Sequence, residues 1–130
     1  MTTSTAHRKT AGGGGYAINL GARADTLKVT GEDAITVFHA TKDGKPSPME
    51  RRFCSNCGTA LWRWHPNWPD LLHPFASAID TPLPKPPHNV HIMQTHKANW
   101  VEPCQGTGDQ MFDEYPDQSL EDWHKANGYG

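Results

Sequence analysis

Two cysteines three positions apart are the residues of this chain with the clearest chemistry. Cys54 and Cys57 are followed directly by Gly58. Two thiolates on one tight turn can bind the same tetrahedral zinc ion, and the glycine allows the positive φ that turns backbone N–H groups toward the sulfurs. A redox dithiol is the competing interpretation, but a dithiol of this spacing usually opens a helix in a βαβ unit. Phe53 before the pair and Leu61 after it favour a turn between strands, a zinc knuckle.

This knuckle supplies only half of a structural zinc shell, which normally takes four protein ligands. Cys104 is the third and last cysteine of the sequence, so a second Cys-x-x-Cys pair is absent from it. The eight histidines are candidates to complete the shell, although a single histidine is more often an ordinary surface or core residue. Two copies of the chain could also share one zinc, with Cys54 and Cys57 of each supplying four sulfurs. The sequence predicts zinc as the cofactor and leaves the remaining ligands open.

The elements that must position the cysteines are two strands, which we predict over residues 49–53 and 61–64. Alternation places Trp62 and Trp64 on one face, as core or as the wall of a pocket. Arg51 and Arg52 are the fixed positive charges nearest to the cysteines. They would lower the thiol pKa values or hold a carboxylate, and a solvated strand edge is the competing interpretation.

The rest of the chain predicts more strands and one helix. Strands are predicted at residues 16–20, 71–80 and 88–96, and an antiparallel hairpin pairs residues 27–30 with 34–39. The glycine run 12–15 is predicted to be a loop. A helix is predicted to begin after Ser119, an N-cap with Asp122 as its partner, and to stop at Gly128. The fold class is therefore mainly β with a short C-terminal helix.

Length and composition indicate one domain over residues 1–130. Five tryptophans and four phenylalanines supply anchors that disordered chains lack. A net charge of −2 gives no field to recruit nucleic acid, so we expect no nucleic-acid partner. We expect no membrane partner either, because no run approaches membrane-spanning length. The absence of an apolar leader and of a disulfide framework predicts a cytoplasmic protein.

Several motifs, taken in order, resemble the glutathione-dependent formaldehyde-activating enzyme family, which includes the centromere protein V-like proteins. The resemblance extends along nearly the whole sequence. It rests on Arg8-Lys9-Thr10 before the glycine run, Phe53-Cys54-x-x-Cys57-Gly58-Thr59, Ala78-Ile79-Asp80, Pro87-His88-x-x-His91, Lys97-x-x-Trp100-Val101 and Ser119-x-x-Asp122-Trp123-His124. It implies coiled antiparallel sheets of the Mss4-like, or β-tent, type with zinc at the centre.

The resemblance also implies an activity. Enzymes of the family are assigned the condensation of formaldehyde with glutathione to S-hydroxymethylglutathione and are classed as carbon–sulfur lyases. The small-molecule partner would be a glutathione adduct or a similar thiol, bound by a monomer or a homodimer. Arg8, Lys9 and Arg52 would hold its carboxylates, whereas Cys54 and Cys57 would bind the structural zinc. The resemblance identifies no catalytic residue in this chain.

The sequence departs from the family pattern ahead of Arg8. Thr2, Ser4 and His7 stand where the family has the three cysteines of its catalytic zinc site, and an earlier Cys-x-Cys would lie upstream of Met1. We therefore expect the chain to begin inside the family domain. Because imidazole suits zinc, His7 is the one candidate ligand among these three positions.

Two alternatives to the lyase remain open. The first is a catalytically inactive zinc-binding or structural domain of the same fold. The second is methionine sulfoxide reduction, which needs a reactive cysteine, and Cys104 has no adjacent base in its loop.

Overall fold

A computed structural model describes residues 1–129 of the chain, which divide into two compact units. Residues 19–81 form one, here called the sheet unit, and residues 1–18 with 82–129 form the other, the terminal unit. The predicted single domain over residues 1–130 stays a prediction. The helices are α1 (Thr5–Ala11) and α2 (Leu120–Ala126), and the strands are β1 (Ala22–Arg23), β2 (Ile35–Phe38), β3 (Thr41–Lys42), β4 (Lys45–Pro46), β5 (Glu50–Cys54), β6 (Ala60–Trp64), β7 (Leu71–Pro74), β8 (Val90–His91) and β9 (Gln110–Met111).

The sheet unit is built on a five-stranded antiparallel sheet in the order β1-β7-β6-β5-β2. The predicted strands on both sides of the cysteine turn are confirmed as β5 and β6. Phe75 and Leu72, which are 2% and 4% exposed, form the buried apolar core of this unit. The predicted strand over residues 71–80 ends early: the N–H of Phe75 still donates to the carbonyl of Leu61 at 3.0 Å, and the extended backbone stops after it. A 3₁₀ turn follows at Ala76–Ala78.

The predicted hairpin of residues 27–30 with 34–39 is wrong. Strand β2 forms as expected, but its partner is β5, with Ile35 opposite Cys54 and Phe38 opposite Arg51. Gly31 adopts φ +76° and precedes a 3₁₀ turn at Glu32–Ala34, so residues 31–33 do not form the predicted hairpin connection. Strand β2 was recognised from the sequence, but the strand with which it pairs was not.

The terminal unit holds less regular structure than the sequence predicts. Residues 16–20 form no strand; Ala17 makes an isolated bridge to Thr2. The predicted strand over residues 88–96 is reduced to β8, which pairs in parallel with β9. Met93, at φ +61°, interrupts the extended backbone after it. Neither helix in the described part of the chain is long and apolar enough to cross a membrane.

The C-terminal helix α2 is confirmed, with the capping that its sequence predicts. The Ser119 hydroxyl accepts from the backbone N–H of Asp122 at 3.1 Å and donates to its carboxylate at 2.7 Å. The indole N–H of Trp123, which lies in α2, donates a hydrogen bond to Nε2 of His88 at 3.1 Å and so anchors the helix to the segment before β8. With this helix and the antiparallel sheet, the predicted mainly β class is confirmed.

Gly15 offers a test of packing in the terminal unit. Its φ is +96°, and a Cβ built there would lie 2.1 Å from Cγ2 of Val101, itself only 4% exposed. We expect Gly15→Ala to lower the free energy of unfolding by about 2 kcal/mol, because the methyl group meets both an unfavourable backbone conformation and a filled core. Urea unfolding of Gly15→Ala beside Gly14→Ala measures this. Nothing lies within 4 Å of a Cβ at Gly14, so equal effects in the two variants would contradict the packing argument.

Candidate functional site

The cysteine turn joins β5 to β6 as a closed, hydrogen-bonded loop. The N–H of Cys54 donates to the carbonyl of Thr59 at 2.9 Å, and the N–H of Gly58 donates to the carbonyl of Cys54 at 2.8 Å. Gly58 adopts φ +74°, as the sequence predicts for the residue after the second cysteine. Cys54 is half-buried and Cys57 is exposed, so a ligand can reach the sulfur of Cys57 from solvent.

The environment of Cys57 shifts its thiol toward ionisation. Oγ1 of Thr59 lies 3.1 Å from its sulfur. This hydroxyl, followed by the backbone N–H of Thr59 and the side chain of Cys54, lowers the pKa of the Cys57 thiol below its ordinary value. Thiolates bind soft metals and attack electrophiles, whereas thiols do neither well. The lowered pKa increases the fraction of Cys57 that is thiolate at a given pH.

A closed zinc site does not fit the donors that the described residues provide. Within residues 1–129, no three His, Cys, Asp or Glu side chains are grouped closely enough to hold a metal ion. The turn contributes two sulfurs, Cys54 and Cys57, and a structural zinc takes four ligands. A metal held at this turn would need two ligands from outside these residues.

In the terminal unit, α1 carries three of the predicted site residues. His7 is 7% exposed, Arg8 is half-buried and Lys9 is exposed. Nδ1 of His7 shares a hydrogen bond of 2.5 Å with the hydroxyl of Ser4, whose own N–H reaches Oγ1 of Thr2 at 3.5 Å. The structure thus links the three positions at which the sequence departs from the family pattern.

Arg52, the third predicted substrate-binding residue, lies in the sheet unit on a cavity of about 410 Å³. Its guanidinium donates twice to one carboxylate oxygen of Glu50, at 2.6 and 3.2 Å. Its Cζ atom is 6.0 Å from the ring centroid of Trp62, and Trp62 and Trp64 both line the cavity. Both tryptophans are half-buried and line this cavity, which favours the pocket-wall interpretation of the two that the sequence leaves open. Because Glu50 already neutralises Arg52, this cavity suits an apolar or neutral group better than a second carboxylate.

Sequence reasoning missed three contributors to these sites: Ser4, Glu50 and Thr59. Glu50 could have been found, because residues two apart on a strand share a face and Arg52 is two positions on. Ser4 lies three residues before His7, a spacing that brings side chains together only if a helix starts there. No sequence feature had predicted that helix.

The comparisons with known proteins agree with the resemblance. The family described as glutathione-dependent formaldehyde-activating enzyme matches residues 5–96. A relative from Halomonas elongata, named "Putative glutathione-dependent formaldehyde-activating enzyme", is 54% identical over 121 residues, which are 93% of this chain and 77% of the relative. No solved structure matches the chain. On the extent of the family match and the identity to this relative, the chain belongs to the glutathione-dependent formaldehyde-activating enzyme family.

Proposed function

We propose that this protein is a carbon–sulfur lyase of the S-(hydroxymethyl)glutathione synthase type, which forms and cleaves glutathione–aldehyde adducts. The observation that carries the proposal is the relative that is 54% identical over 93% of the chain, whose name describes glutathione-dependent activation of formaldehyde. The buried, hydrogen-bonded imidazole of His7 supports it, because the reaction needs a group that moves a proton.

The reaction requires one group that acts first as a base and then as an acid. In the tautomer in which Nδ1–H donates to Ser4, Nε2 of His7 carries the lone pair. This atom takes the proton of the glutathione thiol, and the sulfur attacks the carbonyl carbon of formaldehyde. As the C–S bond forms, the π electrons of the carbonyl move to oxygen, which takes the proton back from the imidazolium. The imidazole is regenerated and nothing is oxidised or reduced.

Charged side chains on α1 are proposed to hold the substrate. Arg8 and Lys9 follow His7 directly, and Nε of Arg8 is buried without a hydrogen-bond partner among residues 1–129. A carboxylate of the tripeptide would give that atom the acceptor that the described residues lack. Arg52 is the weaker candidate of the three, since Glu50 occupies its guanidinium.

Zinc and the Mss4-like architecture remain parts of this proposal. Cys54 and Cys57 would hold the zinc as two of its ligands, and two further ligands, such as the same pair from a second copy of the chain, would complete the shell. His7 as a ligand is the alternative to His7 as a proton carrier. Bound zinc would stabilise thiolates at the turn.

Exchange spectroscopy by NMR tests the proposal, because it measures how fast formaldehyde moves between free and glutathione-bound forms at equilibrium. We expect the purified protein to accelerate this exchange at micromolar concentration, while the equilibrium itself stays unchanged. Elemental analysis of the same sample gives the zinc content per chain. Exchange no faster than with a heat-inactivated sample would overturn the lyase assignment.

A binding domain without catalysis is the second candidate, and the shortage of metal donors among residues 1–129 favours it. In that case calorimetry would detect glutathione binding while exchange stayed at the uncatalysed rate. Binding together with accelerated exchange would rule this candidate out.

A further inference from the structure

One face of the sheet unit carries a row of basic side chains on three neighbouring strands. Arg51 on β5 lies opposite Arg63 on β6, and Arg63 lies opposite His73 on β7. Residues directly opposite each other in an antiparallel ladder project to the same side, with Cβ atoms about 5 Å apart. The row therefore stands on the face away from Arg52, Trp62 and the cavity.

Arg51 is the buried member of this row. It is 8% exposed, and both its Nε and Nη1 atoms are buried without a hydrogen-bond partner among residues 1–129. No carboxylate in the described part of the chain forms an ion pair with it. Burial accordingly lowers the pKa of its guanidinium.

This arrangement opposes folding unless something else compensates for it. A buried guanidinium without an acceptor has lost its hydration and gained no hydrogen bond in exchange. Most buried polar groups in proteins have a partner, so an arginine with two unpartnered donors points to a group that binds there.

We propose that Arg51, with Arg63 beside it, forms a carboxylate-binding site within the sheet unit, which takes the carboxylate of a small molecule such as glutathione. A guanidinium offers two parallel N–H donors, which match the two oxygens of a carboxylate, and a nearby second cation strengthens the attraction. The choice of glutathione as the source of the carboxylate rests on the proposed function; the carboxylate site itself does not.

The Nε–H signals of arginines in ¹⁵N-labelled protein give a direct test. The signal of Arg51 is identified by its loss in Arg51→Lys. We expect it to shift saturably on titration with acetate and, at lower concentration, with glutathione. The signal of Arg23 is the internal control, because Arg23 is on the surface and already donates from Nε to Asp25 at 3.1 Å. The chemical shift of the Arg23 signal should not change in either titration.

Calorimetry with Arg51→Gln then measures the contribution to affinity. We expect glutathione to bind this variant at least about 10-fold more weakly than wild type, since a charge-assisted pair is lost. Arg23→Gln should bind as wild type does. Glutathione with both carboxylates esterified should bind wild type and Arg51→Gln equally, and circular dichroism confirms that the variant is folded.

The outcomes separate this site from the proposed function. An Arg51 signal that moves with neither acetate nor glutathione overturns the carboxylate site. A signal that moves with acetate alone, in a protein that does not accelerate formaldehyde exchange, keeps the site and overturns both glutathione as its ligand and the lyase. Unchanged glutathione affinity in folded Arg51→Gln also refutes the proposal.

Discussion

Replacing His7 with alanine is expected to reduce the protein's acceleration of glutathione–formaldehyde exchange by about 100-fold or more. A positioned acid or base contributes about 10²- to 10⁴-fold to such a reaction, and His7 is the group that we assign to both proton transfers. The imidazole is 7% exposed and is oriented by the hydroxyl of Ser4. Exchange NMR at equal protein concentration gives the ratio.

Two further variants show whether the loss is specific. His96→Ala removes an exposed imidazole that lies 3.7 Å from Glu114, and it should exchange formaldehyde as wild type does. Ser4→Ala keeps the imidazole but removes its hydrogen-bond partner, so we expect a smaller loss than for His7→Ala. The zinc content separates the two roles of His7. If His7 is a zinc ligand, His7→Ala should lower the zinc content per chain. If His7 is a proton carrier, the zinc content should stay unchanged. Full activity in His7→Ala would remove His7 from the mechanism.

Local features were predicted well from this sequence because they depend on neighbouring residues. The N-cap of α2 requires only Ser119 and Asp122, three positions apart, and both bonds between them are present. Gly58 with its positive φ follows from the cysteine turn in the same way. By contrast, α1 was not predicted: Ser4 and Gly12 flank it, but it has neither a side-chain cap bond nor an acid in its first turn.

Neither the pairing of the strands nor the burial of charged side chains could be predicted from residues adjacent in sequence. Strand β2 has the alternation of any half-buried strand, and its pairing with β5 rather than with residues 27–30 depends on contacts distant in sequence. Arg51 and Arg52 were both identified as the charges nearest to the cysteines, but only Arg52 was assigned to the substrate. The pleat sends them to opposite faces, where Arg52 meets Glu50 and Arg51 is buried without an acceptor among residues 1–129.

The sheet unit is expected to lose stability in mild acid through His73. This half-buried imidazole has a pKa lowered to about 4, first because burial disfavours its charged form and then because Arg63 repels it. A carbonyl contact from Leu20 at 3.1 Å, which acts in the opposite direction, only partly compensates. In the unfolded chain the same histidine titrates near pH 6.5. Between these two pKa values the unfolded state binds more protons than the folded state.

The sign follows from that difference. Stability contributed by the neutral imidazole is complete above about pH 6.5 and is lost as the pH falls toward 4, where the loss reaches about 3 kcal/mol. Between pH 7 and pH 4, we expect the free energy of unfolding of His73→Gln, measured in urea, to fall by about 3 kcal/mol less than that of wild type. The glutamine amide can still donate to the carbonyl of Leu20. His39→Gln, which alters an exposed imidazole, should follow wild type. An NMR titration that places the pKa of His73 near 6.5 would contradict both the burial and the repulsion from Arg63.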